Sequence, residues 1–375
     1  MFDSISDADI AEGRATDAYF LRTEETLEAA GRNPTVVAEV TADQFPTGDF
    51  EVCAGLKDVA ALLEGRNLDA DAIPEGTLFD GGPVVRIEGP YLEFCRLETA
   101  LLGFLSHASA IATAALEVRR AAPESTVLSF GARHVHPSMA AAVERSALVG
   151  GLDGFSHVAA GELIGRDASG TMPHALMLCF GVGNQEEAWR AFDDAVDEDV
   201  PRIALCDTYT DETDESLRAA EAGFDAVRID TTGSRRGDLR HILREVRWKL
   251  DDAGHEDVDI VASGGLGPAE LRRLRDVADG FGVGSHVSNA DPIDFALDIV
   301  EVDGEPRAKR GKLPGRKDVY RTPDGGHGVA RAEADAAGDN LFEPLLRDGE
   351  VVAEFDIDEA ARRARRDAAR VGFGG

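Results

Sequence analysis

Beyond residue 125 the apolar positions cluster into short runs, at 126–130, 175–180, 202–206, 226–229, 258–262 and 280–283, with a weaker one near Gly154. Each run gives way to a polar or glycine-bearing stretch and then to a helical pattern. Strands alternating with helices at this spacing predict an α/β fold, a parallel sheet with helical crossovers. A closed barrel and an open sheet both satisfy the pattern, and both bind ligands at the C-terminal ends of their strands. The unusual residues sit at those ends: Phe130, Gly131 and Arg133, then Asp207, Thr208 and Tyr209, then Asp230, then Ser263, Gly264 and Gly265, and last Gly282 and Gly284.

The N-terminal third has a different grain. A helical stretch runs through Tyr19, and strands are predicted at 35–41 and 83–91, where Val85 and Ile87 alternate with Arg86 and Glu88 at the two-residue period of a half-buried strand. Residues 92–120 turn helical, with Glu98 and Ser106 among apolar positions where a solvated face would carry more charge. After Asp291 the strand–helix rhythm breaks. Strands are predicted at 298–304 and 317–321, returning to the N-terminal sheet, and an amphipathic helix at 357–370. No internal repeat is present.

Composition narrows the partners more than the fold. At 375 residues with 43% hydrophobic content the chain can bury a sizeable core in two or three domains. Its formal charge is −32, and its lysines are confined to Lys57, Lys249, Lys309, Lys312 and Lys317, the other basic residues being arginine. Dispersed carboxylates of this kind keep a protein hydrated in strong salt, where the Debye length shrinks to about 3 Å at 1 M. The charge therefore points to a halophilic habitat and not to a chemistry. Nucleic acid is disfavoured as a partner, because no basic patch with interleaved aromatics offsets that charge. No run of about 18 apolar residues is evident to span a bilayer, and residues 1–10 are acidic where a secretory signal is basic and then apolar. A cytoplasmic protein without a membrane partner is expected. Cys53, Cys95, Cys179 and Cys206 are isolated in apolar stretches with no C-x-x-C pair, which predicts reduced core residues and neither a disulfide framework nor a cysteine zinc site.

The candidate chemistry lies in a few constellations. Ser263-Gly264-Gly265-Leu266 and Phe281-Gly282-Val283-Gly284-Ser285 end successive strands. Backbone amides free of side chains can approach a phosphate there, and the N-terminus of a following helix adds partial positive charge. Either cluster alone is more often a tight turn. Asp207, Asp230 and Asp153 are acidic strand ends that could hydrogen-bond ribose hydroxyls or hold Mg²⁺, which takes one or two carboxylates and completes its shell from substrate oxygens; the alternative is a helix N-cap. Phe130 and Arg133 are three residues apart, a spacing that lets a ring and a guanidinium meet one small planar anion. A surface arginine beside a core phenylalanine is the commoner arrangement. His174 stands where the loop Ser169-Gly170-Thr171-Met172-Pro173 enters an apolar run, the usual place of a hydrogen-bonded core histidine. His134 and His136 would share a face on a strand, but no third ligand accompanies them and no metal is assigned there.

Taken in order, these motifs resemble the nicotinate phosphoribosyltransferases, in the group that also holds the quinolinate and nicotinamide phosphoribosyltransferases. The likeness runs from Thr16-Asp17-Ala18-Tyr19-Phe20 to Leu313-Pro314-Gly315-Arg316-Lys317-Asp318-Val319-Tyr320. It implies an irregular α/β barrel of phosphoribosyltransferase type II at 111–290, an N-terminal open-faced α/β sandwich at 1–110, strands at 291–325 that return to the sandwich, and a small C-terminal domain at 326–375. It implies that Phe130 stacks on the pyridine ring, that Arg133 pairs with the nicotinate carboxylate beside Thr171, and that Tyr19 covers the ring's other face from a neighbouring subunit, so that the enzyme is a homodimer or higher homo-oligomer. Asp207, Asp230, Arg228 and Thr231 would hold the phosphoribosyl group of phosphoribosyl pyrophosphate and its Mg²⁺. Ser263, Gly264, Gly265, Gly282, Val283 and Gly284 would bind the 5′-phosphate. His174 matches the histidine that such enzymes phosphorylate with ATP. Some relatives carry a cysteine zinc knuckle after the Gly-Arg-Lys segment, and residues 321–375 here contain no cysteine, so zinc is not expected. Quinolinate phosphoribosyltransferase is the near rival, and a second ring carboxylate should demand more basic residues than Arg133. A catalytically idle barrel that binds a phosphorylated metabolite is the other alternative; it would need the glycine loops but not Arg133, His174, Asp207 and Asp230.

Overall fold

The computed structural model describes residues 2–373 apart from 47, 49, 199, 232, 234–236, 323–325, 333 and 335–337. The chain divides into two compact units, Met1–Leu116 with Leu148–Gly151 and Ala290–Gly375, and Glu117–Ala147 with Leu152–Asn289.

The first unit is built on a seven-stranded antiparallel sheet whose order is Glu305–Pro306, Asp294–Val302, Thr35–Gln44, Pro83–Pro90, Asp69–Ala72, Glu343–Arg347 and Glu350–Val351. The alternation read at 83–91 holds: Val85 and Ile87 are buried and Arg86 and Glu88 are not. Val36, Ala38 and Val40 join them in a core covered by the helix Leu56–Leu63, which buries Leu56, Val59, Ala60, Leu62 and Leu63. The strand after Asp291 does return to this sheet, with Ile299 opposite Ala38 and Leu297 opposite Val40. The segment at 317–321 does not. Lys317–Arg321 pairs with His327–Arg331 and Asp339–Asn340 in a separate three-stranded sheet. It meets the large sheet through side chains instead: Glu39, 1% exposed, accepts the Lys317 N–H at 2.7 Å and its ammonium at 2.8 Å. Arg86 bridges Asp318 at 2.8 Å and Asp71 at 2.9 Å. The strand fills the polar face of the sheet, which charged residues at alternate positions had left without an apolar partner. The helix expected at 357–370 is Ile357–Val371 and packs Ala360, Ala364 and Ala368 on Val52, Leu78 and Ala112.

The long helix Glu98–Ala121 follows two short helical turns, so the helical reading of 92–120 begins a few residues early. By length and composition Cys95–Ala121 is apolar enough to cross a membrane, which the sequence reading had denied. Leu101, Leu105, Ile111 and Leu116 are at most 2% exposed, so its hydropathy is accounted for by the core.

The second unit carries a curled six-stranded parallel sheet in the order Gly154–Phe155, Thr126–Ser129, Gly280–Val283, Asp259–Ala262, Ala226–Ile229 and Ile203–Leu205. In chain order this is 2-1-6-5-4-3, and all its pairings are parallel. The seventh strand expected at 175–180 is a helix, His174–Phe180. An apolar run this short has no period that separates strand from helix. Here Ala175, Leu176, Met177 and Leu178 are strong helix formers, Pro173 sits at the N-cap where it costs no hydrogen bond, and Gly181 ends the helix at φ +88°. The sheet therefore stays open between its second and third strands. Cys179 is consequently exposed, while Cys53, Cys95 and Cys206 are buried as expected.

Glu144, on the helix Ala140–Val149, is completely buried with no charged partner among the described residues. Burial pushes its carboxyl up to about 7, against a smaller opposing pull from the Ser129 hydroxyl. The unfolded chain ionises first, near 4.3. Stability is thus fully present below that value and is lost as pH rises through about 7. Glu144→Gln, which cannot ionise, should match the native protein near pH 4 and exceed it by about 3 kcal/mol at pH 8. Calorimetric unfolding from pH 4 to 8 at constant salt checks this, and a difference that does not grow with pH would contradict it.

Candidate active site

The polar strand ends lie together at the C-terminal edge of the parallel sheet, where each strand's last hydrogen bond leaves the following residue free to turn. Two clefts open there. The first, about 780 Å³, is lined by Phe130, Arg133, His134, Thr171, Arg228, Asp230, Ser263, Gly264, Gly265, Gly282 and Gly284, and also by Ser156, His157 and Met172, which the sequence reading did not single out. The second, about 640 Å³, is lined by His174, Asp207, Thr208, Tyr209, Glu212, Asp230 and Thr231. Asp230 belongs to both, and Pro173 of the first precedes His174 of the second.

In the first cleft Phe130 leaves the strand Thr126–Ser129 with its N–H donated to the Val283 carbonyl at 2.6 Å. Its ring lies against Gly282: a Cβ on that residue would overlap the ring edge. Arg133 is not on the strand, as the sequence reading had it, but on the 3₁₀ turn Ala132–His134. Its guanidinium is exposed and has no partner among the described residues. Arg228, by contrast, is committed. It donates to Thr171 Oγ1 and to Asp230 Oδ2, the latter at 3.2 Å, and its guanidinium stands 6.0 Å from the centre of the Phe130 ring. Ser263 Oγ donates to Asp230 Oδ1 at 3.0 Å. Gly264 and Gly265 adopt φ +94° and +68°, a left-handed turn that turns backbone toward the cleft without a side chain in the way. A Cβ on Gly264 would stand 2.9 Å from Asp230 Oδ1. Val283 does not line the cleft; its side chain is buried in the sheet.

In the second cleft Asp207 is the anchor. Its side chain is 1% exposed, and its Oδ2 accepts the Asp230 N–H at 2.8 Å and Thr231 Oγ1 at 2.9 Å. Its Oδ1 has no hydrogen bond and faces His174 Nε2 at 3.7 Å. Burial raises the Asp207 acid above its ordinary value, against the hydrogen bonds from Thr231 and Asp230 and the attraction of His174. His174, 40% exposed, shares a hydrogen bond through Nδ1 with Thr208 Oγ1 at 3.1 Å. That bond fixes the ring plane and leaves Nε2 open to the cleft.

Two candidates fall away. Asp153 lies at the opposite, N-terminal edge, where its Oδ2 accepts the Val127 N–H at 2.8 Å and pairs with Arg119 at 2.7 Å. His136 caps the turn Pro137–Met139, with Nδ1 at 2.6 Å from Ser138 Oγ, and shares no strand face with His134. Tyr19, expected to act from a neighbouring subunit, lies in the first unit on the helix Ala18–Ala29 and is 57% exposed.

Among the described residues no three His, Cys, Asp or Glu side chains form a metal cage. Asp207, whose Oδ1 is buried without a hydrogen bond, and Asp230 are carboxylates that could share a hard cation with substrate oxygens.

The family models that match are the quinolinate phosphoribosyl transferase N-terminal domain, over residues 17–109, and its C-terminal domain, over residues 111–298. A nicotinate phosphoribosyltransferase of Mycobacterium tuberculosis is 32% identical over 93% of this chain and 88% of its own. The crystal structure of nicotinate-nucleotide pyrophosphorylase from Pyrococcus furiosus superposes with a TM-score of 0.93 at 45% identity, covering 99% of each chain. Human nicotinic acid phosphoribosyltransferase, 22% identical over 95% of this chain and 94% of its own, shares the fold with a TM-score of 0.76.

Proposed function

Because the chain belongs to the nicotinate phosphoribosyltransferase family, we infer that it joins nicotinate to phosphoribosyl pyrophosphate to form nicotinate mononucleotide for NAD biosynthesis, with ATP hydrolysis driving the reaction through His174. One observation carries the choice of base. Of the two arginines among the described residues lining the first cleft, Arg228 is tied to Asp230 and Thr171 and only Arg133 is free. One free guanidinium matches one ring carboxylate, bound by two parallel charge-assisted bonds. Quinolinate carries two. The quinolinate name of the matching domain models keeps that base as the second reading.

In this reading the ring stacks on Phe130 with its carboxylate at Arg133. The 5′-phosphate rests on the backbone at Ser263–Gly265 and at Gly282 and Gly284, and the ribose hydroxyls lie against Asp207, Asp230 and Thr231. The pyridine nitrogen attacks C1 of the ribose, the C1–oxygen bond to pyrophosphate breaks, and pyrophosphate leaves with the electron pair. No proton moves, because the nitrogen is neutral and becomes pyridinium. Positive charge grows on the sugar ring before the new bond is complete, and Asp207 and Asp230 are the carboxylates beside it. Mg²⁺, held by those two residues and substrate oxygens, would offset charge on the departing pyrophosphate. His174 Nε2 would accept the terminal phosphoryl group of ATP, with ADP leaving, and water would then cleave the phosphorus–nitrogen bond to release phosphate and restore the imidazole.

Tyr19 would close the ring's second face from a neighbouring subunit. Exposed apolar side chains support an assembly: Tyr19 in the first unit, and Val158, Leu163, Leu178 and Val182, each at least 60% exposed, in the second. The enzyme is read as a cytoplasmic homo-oligomer with shared sites.

The test is an incubation in high salt with phosphoribosyl pyrophosphate, Mg²⁺ and either nicotinate or quinolinate, with and without ATP. Nicotinate mononucleotide should form from nicotinate and faster with ATP; formation from quinolinate alone would overturn the choice of base. Gly282→Ala should displace Phe130 and raise the nicotinate KM about tenfold, the scale of overpacking by one methyl. An unchanged KM would remove the Phe130 ring from the site.

A further inference from the structure

The turn that carries Asp207 and Thr208 is not held by the sheet. The ladder ends where the Cys206 N–H meets the Arg228 carbonyl at 3.0 Å, yet beyond it Asp207 must reach Asp230 and Thr231, and Thr208 must reach His174. A side chain from the next helix, Glu212–Glu221, holds the turn. Glu215 is completely buried and accepts three consecutive backbone N–H groups, those of Thr208 at 2.9 Å, Tyr209 at 2.8 Å and Thr210 at 2.7 Å. Gln185, 2% exposed, donates to the same carboxylate at 2.6 Å and accepts from Arg218 at 3.1 Å. Consecutive N–H groups that converge in this way form an anion-binding concavity, and here the anion is the protein's own.

Glu215 lines neither cleft. We propose that Glu215, braced by Gln185, is a positioning residue for the ribose and ATP half of the site, setting where Asp207 and Thr208 stand without acting on the nicotinate half. Phe130 and Arg133 come from a different strand end and share no hydrogen bond with this turn. The proposal rests on the reaction proposed above and adds a division of labour to it.

Two variants of the full chain test it. Glu215→Gln keeps the size but sets an amide donor against a backbone N–H whichever way it turns. Gln185→Leu keeps all three backbone bonds and removes only their outer brace. Initial rates are measured in high salt with both substrates and Mg²⁺, with and without ATP. Glu215→Gln should raise the KM for phosphoribosyl pyrophosphate about tenfold and cut stimulation by ATP by a similar factor, with the nicotinate KM within about twofold. Gln185→Leu should show the same split, smaller. If both KM values rise together, or neither moves in a folded variant, Glu215 is structural only and the proposal is overturned. If Glu215→Gln does not fold, Gln185→Leu decides by the same split. If the native protein makes no nicotinate mononucleotide, the reaction is misread. Calorimetric titration with phosphoribosyl pyrophosphate then decides positioning by itself: weaker binding to the variant upholds it, and equal binding overturns it.

Discussion

His174→Ala should remain folded, bind nicotinate normally and lose all stimulation by ATP. The expectation follows from where the ring stands. His174 lines the second cleft and not the first, so its loss leaves Phe130 and Arg133 untouched. Thr208 holds Nδ1, and Nε2 points past the unbonded Asp207 oxygen into the cleft. A nucleophilic imidazole needs this: one nitrogen fixed, the other open and beside a carboxylate. The native enzyme should gain at least about tenfold in rate from ATP and the variant nothing, because the coupling depends on one covalent intermediate. Rates with and without ATP measure the loss, and acid-labile phosphate on the native protein, absent from the variant, assigns it to His174. A variant still driven by ATP would clear His174 of the role.

Arg133→Ala should raise the nicotinate KM about 10- to 100-fold, the equivalent of roughly 1.5 to 3 kcal/mol for hydrogen bonds to a charged group. Arg133 has no hydrogen-bond partner among the described residues. Its exposed guanidinium makes no ion pair among the described residues. Arg133→Lys should recover only part of the loss, since an ammonium cannot give a carboxylate two parallel bonds. Steady-state rates against nicotinate concentration check both variants. An unchanged KM in Arg133→Ala would take Arg133 out of the site and leave the base to Arg228.

Much of this site was legible because parallel strands buried on both faces read as apolar runs, and the residue after each run stands at the mouth of the sheet. Phe130, Asp207, Asp230, Ser263 and Gly284 stand there. An apolar run need not be a strand: His174–Phe180 is a helix, and only its lack of β-branched residues distinguishes it. The strand near Gly154 is only two residues long, too short to bound from its pattern, and Asp153 precedes it and so lies at the opposite edge. Partner choice among strands is non-local, so nothing in Lys317–Arg321 or Glu343–Arg347 announced that the first would pack on the large sheet by side chains and the second would extend it. Glu215 was missed because its neighbours Glu212 and Asp214 are also acidic. The one signal was its helix face, shared at i+4 with the buried Ala219.

In the proposed reaction the first cleft takes the pyridine carboxylate at one end and the sugar phosphate at the other. A crystal structure with bound nicotinate mononucleotide tests this most directly. The ring should lie on Phe130 with its carboxylate at Arg133, and the phosphate should sit on the backbone of Gly264, Gly265, Gly282 and Gly284. A nucleotide bound elsewhere, or reversed so that its phosphate meets Arg133, would contradict it.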